Sequence, residues 1–204
     1  ELDAQIKGYA GGDELYQQYL EDQWLDAVQG STFEDAAHSM AAVGMLAPFM
    51  ESLFASIFRG LHEQQRLHRG KTPTDARTIA TENEYWNVHF MFHKNGRSKD
   101  VAAGIIQLAE STGLAAFLPD DLAIVTSALF AYRNKMFHNG FEWPVDERAG
   151  FEKRLEQGDW PLDWFEKATT NNKPWIFYMS AAFISVCLDT IDRVIAGTGA
   201  YLRS

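Results

Sequence analysis

The sequence contains very little cysteine and a deficit of positive charge. Cys187 is the single cysteine among 204 residues, so the chain cannot form an internal disulfide. Its apolar surroundings are typical of a small buried thiol. Lys and Arg number 18 against 28 Asp and Glu, and the net charge of −10 argues against a protein whose whole surface holds nucleic acid. No basic-then-apolar leader is visible, and with the lone cysteine this predicts a reducing, cytoplasmic location.

Sequence patterns that mark several enzyme classes are also missing. The chain has no glycine-rich phosphate loop, no nucleophile-elbow motif, no paired-cysteine zinc motif and no HExxH. His89 and His93 are four residues apart, a spacing that can hold a metal on a helix, but no third ligand stands out nearby. We therefore expect no metal and no cofactor, and we interpret both histidines as core or rim residues.

The apolar content is sufficient for one hydrophobic core. Hydrophobic residues make up 46% of the chain, and a single core can fill a protein of about this length, so we predict one domain over residues 1–204. The apolar run at 40–58 is long enough to span a membrane, but Pro48 and Glu51 interrupt it. We interpret this run as a buried core helix and expect no membrane association.

Hydrophobic spacing predicts helices throughout the first third of the chain. Apolar residues recur at helical intervals over 13–28. Ser31 with Glu34 three residues later matches a capping box, which predicts that a second helix begins there and reaches about Arg69. Pro48 should kink or divide this second helix.

The rest of the chain is also predicted to be helical. We assign the aromatic segment 82–98 to helix because no strand partner is evident, and we predict helices over 99–113, 120–140 and 174–195. Segment 142–167 is acidic and rich in tryptophan, and its tryptophans are expected to anchor the core or an interface rather than stack on bases. The predicted fold is an all-α bundle of five to six helices.

The stretch YRNKMFHNG at 132–140 carries the residues most suited to chemistry. Arg133 is a bidentate cation suited to a phosphate, and His138 lies in the last helical turn, where the dipole favours the imidazolium form needed for acid–base work. Asn134 shares a face with His138, next to an apolar stripe that ends at Phe137. Arg133 and His138 are about 140° apart on an ideal helix, so one copy presents them poorly to one substrate atom.

This arrangement resembles the signature of the HEPN superfamily. In that family an Arg is followed directly by a polar residue and is separated by four to six residues from a His. The motif lies near a helix end in an all-helical bundle. The resemblance covers this helix. It implies a metal-independent endoribonuclease in which two protomers bring their motifs into one cleft and the RNA 2′-hydroxyl attacks, leaving a cyclic phosphate. It also implies that His138 is the general acid or base, Arg133 the phosphate stabiliser and Asn134 the residue that orients the scissile phosphate or the histidine.

The same resemblance implies partners and a biological setting. The expected partners are a second copy of the chain, an RNA substrate and, for a toxin, a cognate nucleotidyltransferase-type antitoxin; the expected role is that of a toxin or phage-defence effector. The alternative is a non-catalytic helical dimer that binds RNA, a nucleotide or a protein through the same cleft. The basic segment 59–71 is a candidate RNA-backbone contact, and Trp86, Phe90 and Phe92 are candidate walls of a small-molecule pocket.

Overall fold

The computed structural model describes residues 14–68, 77 and 80–204, and this part of the chain is mostly helical. It contains six α-helices and two antiparallel β-hairpins, with short 3₁₀ turns at Leu114–Phe117 and Leu162–Trp164. The elements are α1 Glu14–His68, α2 Glu82–Tyr85, β1 Phe90–His93, β2 Gly96–Lys99, α3 Val101–Thr112, α4 Leu122–Asn139, α5 Val145–Glu156, β3 Phe165–Thr170, β4 Lys173–Met179 and α6 Ala181–Tyr201.

Helix α1 is one continuous helix of 55 residues, whereas the sequence predicted two. The capping box was wrong, because Ser31 lies inside the helix and its hydroxyl donates to the Val28 carbonyl at 3.0 Å. Pro48 neither divides nor ends the helix. A proline inside a helix costs about 3 kcal/mol. The adjacent side chains Ala47 and Met50 are fully buried, and their packing offsets that cost.

Part of α1 is long and apolar enough to cross a membrane, judged by length and composition alone. About a third of its apolar window is buried inside the fold. The buried face supplies Val43, Ala47, Met50, Phe54 and Phe58, each 0% exposed, to the core. One face of α1 therefore packs into the core, and both the absence of membrane association and the location of the protein in the cell stay predictions.

The helix predicted over 82–98 was wrong for most of its length. Residues 82–85 form one helical turn, and β1 then pairs with β2 so that Phe90 lies opposite Lys99 and His93 opposite Gly96. The partner strand, β2, is separated from β1 by only two residues. Its glycine and charged residues do not give the pattern of a strand in the sequence. The all-α prediction is therefore correct in part: the described residues are mostly helical, but they include two small antiparallel hairpins.

The helix predicted over 174–195 was wrong at its beginning and correct afterwards. Residues 173–179 form β4, which pairs with β3, and α6 begins only at Ala181, where the Ser180 hydroxyl accepts a hydrogen bond from the Phe183 amide at 3.1 Å. Asn171 and Asn172 turn the hairpin with φ of 48° and 58°, the left-handed conformation that asparagine tolerates.

Helices α3 and α4 agree with the prediction. Asp100 accepts a hydrogen bond from the Ala103 amide at 3.0 Å at the start of α3, and Gly113 ends it in the left-handed conformation with φ 77°. Helix α4 ends before Gly140, as expected, although it begins after Asp121 rather than Asp120. Helix α5 lies within the acidic segment 142–167 and was not predicted.

The core fixes the position of α4 from two sides. The predicted inward seam of α4 is confirmed, since its members are at most 2% exposed: Leu122, Val125, Leu129, Tyr132 and Met136. The Tyr132 hydroxyl donates to the Phe177 carbonyl at 3.0 Å, and burial raises the pKa of this phenol. The Ser39 hydroxyl of α1 accepts a hydrogen bond from the Met179 amide of β4 at 2.7 Å. Trp143, Trp160 and Trp164 are buried around the same seam, which confirms their role as core anchors.

Candidate functional site

The last two turns of α4 expose Asn134 and His138 on one face. Both side chains are exposed, and neither has a hydrogen-bonding or ionic partner in the part of the chain that the structure describes. The turn between them carries Phe137, whose side chain is 55% exposed. The helix stops at Gly140, where a φ of 70° favours glycine and the amide donates to the Met136 carbonyl at 2.9 Å. His138 therefore lies in the last turn of α4, just before the helix stops, and is open to solvent.

Arg133 lies on a different side of α4. Its Nη1 is 3.6 Å from Glu51 Oε2 on α1, and its guanidinium lies over the Phe130 ring at 5.3 Å from the ring centroid. Its Nε is buried and has no acceptor. The structure brings Arg133 together with Glu51, while His138, five residues on, faces elsewhere. The angular separation predicted from the sequence therefore holds within one chain.

Glu51 also binds His89, a contact that the sequence did not predict. The carboxylate Oε1 is 2.7 Å from His89 Nε2, and His89 Nδ1 is 2.8 Å from the Asn87 side-chain oxygen. Glu51 thus links α1 to both α4 and the loop before β1. One signal was available in the sequence: Glu51 is the single carboxylate in the apolar run 40–58, and a charge in such a run needs a partner.

The two histidines considered for a metal do not converge. His89 has the contacts just described, whereas His93 lies on β1 with its Nε2 3.0 Å from the Ser98 hydroxyl. Both histidines are exposed, so they are rim residues rather than core residues. Across residues 14–68, 77 and 80–204, no three His, Cys, Asp or Glu side chains gather in a way that could hold a metal ion.

A cavity of about 740 Å³ lies beside Arg133. Its walls come from the first hairpin, one face of α3 and one face of α4. The apolar lining includes Met91, Ile106 and Phe130, and the polar lining includes His89, Lys99, Glu110, Arg133, Asn134 and Arg154. This volume lies within the range of about 300–1,000 Å³ usual for small-molecule sites. The cavity and the motif therefore share Arg133 and Asn134.

A buried arginine and a glycine hold the walls of this cavity together. Arg77 is 0% exposed, and its guanidinium donates to Gln107 Oε1 at 3.0 Å, to the Gly104 carbonyl at 3.2 Å and to backbone carbonyls of the first hairpin and the turn before it. Gly104 lets α3 approach that turn, because a Cβ there would lie 2.2 Å from the Val88 carbonyl oxygen. Neither contact was predictable from spacing along the sequence.

An exposed apolar surface adjoins His138. Phe137 lies against α1, with its ring 3.7 Å from the position that a Cβ on Gly44 would occupy. On α1, Met45 and Phe49 are 69% and 52% exposed. We call Met45, Phe49 and Phe137 the α1–α4 patch.

The remaining sequence candidates are the aromatic residues Trp86, Phe90 and Phe92 and the basic segment 59–71, whose role in RNA binding stays a prediction. Trp86 stacks on His62 with ring centroids 5.0 Å apart, Phe90 lies beneath Arg97, and Phe92 is buried at 4% exposure, so none of the three lines the cavity. Of the basic segment 59–71, Arg59 is exposed, and residues 69–71 lie outside the described residues.

Comparison with known proteins adds no relative: no family model matches the chain, and neither the curated proteins nor the solved structures give a match.

Proposed function

We propose that this protein is a metal-independent endoribonuclease of the HEPN type that acts as a homodimer in the cytoplasm, as a toxin or phage-defence effector. The observation that carries the proposal is the state of His138 and Asn134. They share one exposed face at the end of α4 and have no partner among the described residues, and Phe137 of the α1–α4 patch directly precedes His138. In the proposed dimer, the α1–α4 patch is the surface that pairs the two chains and brings their His138 side chains into one cleft.

The proposed reaction needs a base on one side of the scissile phosphate and an acid on the other. One His138 removes the proton of the RNA 2′-hydroxyl, and the resulting oxygen attacks phosphorus in line. The bond from phosphorus to the 5′-oxygen breaks, and the second His138 gives that oxygen a proton. The products are a 2′,3′-cyclic phosphate and a 5′-hydroxyl. One chain offers one motif histidine, and a two-fold axis provides the second.

Arg133 has the charge that such a reaction requires. The guanidinium would stabilise the phosphorane that develops during attack, through paired hydrogen bonds to two of its oxygens. Its Nη1 is 3.6 Å from Glu51 Oε2, which is longer than a hydrogen bond. The guanidinium N–H groups are therefore available to bind the phosphate. Asn134, next to Arg133 in sequence and one turn before His138, would orient the phosphate or the imidazole.

A second candidate function is a non-catalytic dimer that binds RNA, a nucleotide or a protein through the same surface. The observation that favours it is the ion pair of Arg133 with Glu51, which offsets the positive charge of the motif in an already acidic chain. A cognate nucleotidyltransferase-type antitoxin is compatible with either function, because it would cover the same exposed surface.

The test compares histidine variants on RNA in the presence of EDTA. Wild-type protein should cleave a structured RNA, and His138→Ala should reduce the rate at least a hundredfold, as expected for loss of acid–base catalysis. His93→Ala is the matched control, because it removes another exposed histidine that lies on the hairpin. Equal rates for wild type and His138→Ala would exclude His138 as the catalyst. Absence of cleavage combined with His138-dependent RNA binding would favour the non-catalytic dimer.

A further inference from the structure

Two of the three Lys and Arg residues that line the 740 Å³ cavity, Lys99 and Arg133, come from the end of β2 and from the second half of α4. Helices α3 and α4 are joined by residues 113–121, and such a short connection makes them antiparallel neighbours. The start of α3 therefore lies near the end of α4. The shared contact of Arg133 and His89 with Glu51 confirms that the end of α4 meets the base of the first hairpin.

Lys99 and Arg133 are the two cations at this end. Lys99 is exposed, lines the cavity and has no carboxylate partner among the described residues. Arg133 has a buried Nε without an acceptor, and its ion pair with Glu51 is 3.6 Å long. Both side chains line the same cavity, and neither has an acceptor within hydrogen-bonding distance among the described residues, so both have donors for an oxyanion.

Two carboxylates lie close to this end and offset part of its positive charge: Asp100 in the cavity lining, and Glu51 beside Arg133 and His89. The Asp100 carboxylate accepts the Ala103 amide at 3.0 Å and is thereby engaged as the cap of α3. Glu110 lies nine residues after Val101, which places it about 13 Å along the helix axis. Arg154 lies against the Trp160 ring and pairs with Asp159 at 2.8 Å. The positive end is thus separated from the carboxylate of Glu110.

The space between the two ends is apolar. Ile106 of α3 and Phe130 of α4 line it with Met91, and alanines on both helices leave room between them. An apolar ligand body would remove these side chains from water at a gain of about 25 cal/mol for each Å² buried. The charge and the apolar wall together select a ligand with an anionic head and an apolar body.

We propose that this cavity binds a small amphipathic organic anion, with its carboxylate or phosphate head on Lys99 and Arg133 and its apolar body along Ile106 and Phe130. The inference does not rest on the ribonuclease proposal, because binding is measured directly and Lys99 has no part in the proposed cleavage.

The test is calorimetric titration of the full chain with four probes of matched structure. Octanoate and octyl phosphate carry both head and body, octanol has the body alone, and inorganic phosphate has the head alone. We expect saturable binding of at least one of the two amphipathic anions with one site per chain. Octanol and inorganic phosphate should bind at least tenfold more weakly. The stronger of the two anions identifies the head group.

Variants separate this site from the rest of the surface. Lys99→Ala should weaken binding of the anion about tenfold, the effect of losing one charge-assisted contact. Lys94→Ala removes an exposed lysine at the turn of the same hairpin and should leave binding unchanged. Ala102→Phe should abolish binding by filling the cavity. Three results would each overturn the proposal: no saturable binding of either anion, octanol binding as tightly as octanoate, or equal binding by Lys99→Ala and Lys94→Ala.

Discussion

Replacement of Gly104 by alanine tests how closely α3 must approach the turn before the first hairpin. The added Cβ would lie 2.2 Å from the Val88 carbonyl oxygen and 2.9 Å from that of Phe90, both backbone atoms. One of them has to move by about 1 Å to reach ordinary contact, and the carbonyls of Phe90 and Gly104 both accept from Arg77. Overpacking of this kind costs about 1–3 kcal/mol, occasionally more.

The expected net effect of Gly104→Ala is a loss of about 2–3 kcal/mol. The site is at the upper end of the overpacking range because backbone rather than a flexible side chain is displaced, and the higher helix propensity of alanine returns at most about 1 kcal/mol. For a chain of this length each kcal/mol shifts the melting temperature by roughly 2–4 °C, so the fall should be roughly 4–12 °C. Differential scanning calorimetry provides the measurement.

Gly150→Ala is the matched control for Gly104→Ala. Gly150 lies inside α5, and a Cβ there would meet nothing within 4 Å. Only helix propensity acts at this position, so the substitution should raise stability by up to about 1 kcal/mol. The reasoning is refuted if Gly104→Ala melts at or above the wild-type temperature, or if both variants shift in the same direction by the same amount.

Three further predictions concern a buried cation, a buried thiol and the α1–α4 patch. Arg77→Met should cost about 3–5 kcal/mol in urea denaturation, because it leaves several buried carbonyls without a donor; a loss below 1 kcal/mol would contradict the network. Burial raises the pKa of the Cys187 thiol to about 12. Its contribution to stability should be complete below about pH 9 and lost as pH rises towards 12, and native protein at pH 8 should not react with a thiol reagent until guanidinium unfolds it. Phe49→Glu should convert a dimer to a monomer in sedimentation velocity with little change in melting temperature, whereas Ile195→Glu, at a similarly exposed site on α6, should leave the dimer intact.

The α-helices were predictable where local signals agreed with burial. Helix α3 has an aspartate cap and a terminal glycine, and α4 has a regular apolar seam. The sequence therefore predicted both helices close to their observed positions. Ser31 shows the limit of such signals: a capping box was present, but the continuous packing of α1 against the core kept the helix intact. Pro48 likewise does not divide α1. The free-energy cost of a proline inside a helix is small beside the free energy gained by burying several large side chains.

The hairpins and the surroundings of Arg133 were not predictable for a different reason. In β1 and β4, aromatic runs fit a buried helix and a strand equally well, and only the pairing partner decides between them. Arg133, Asn134 and His138 were chosen from a motif, and the separation of Arg133 from His138 followed from helical geometry; their catalytic roles stay predictions. The contacts of Glu51 with His89 and Arg133 join residues 38 and 82 positions apart, and no periodicity encodes such pairs.

The central claim is that His138 cleaves RNA by way of the neighbouring 2′-hydroxyl. The most direct measurement is mass spectrometry of fragments from a short RNA incubated with wild-type protein in EDTA, beside the same RNA carrying 2′-O-methyl groups throughout. We predict 5′ fragments that end in a 2′,3′-cyclic phosphate, no cleavage of the methylated RNA, and no cleavage of either RNA by His138→Ala. Fragments with a free 3′-hydroxyl, or cleavage of the methylated RNA, would contradict the claim.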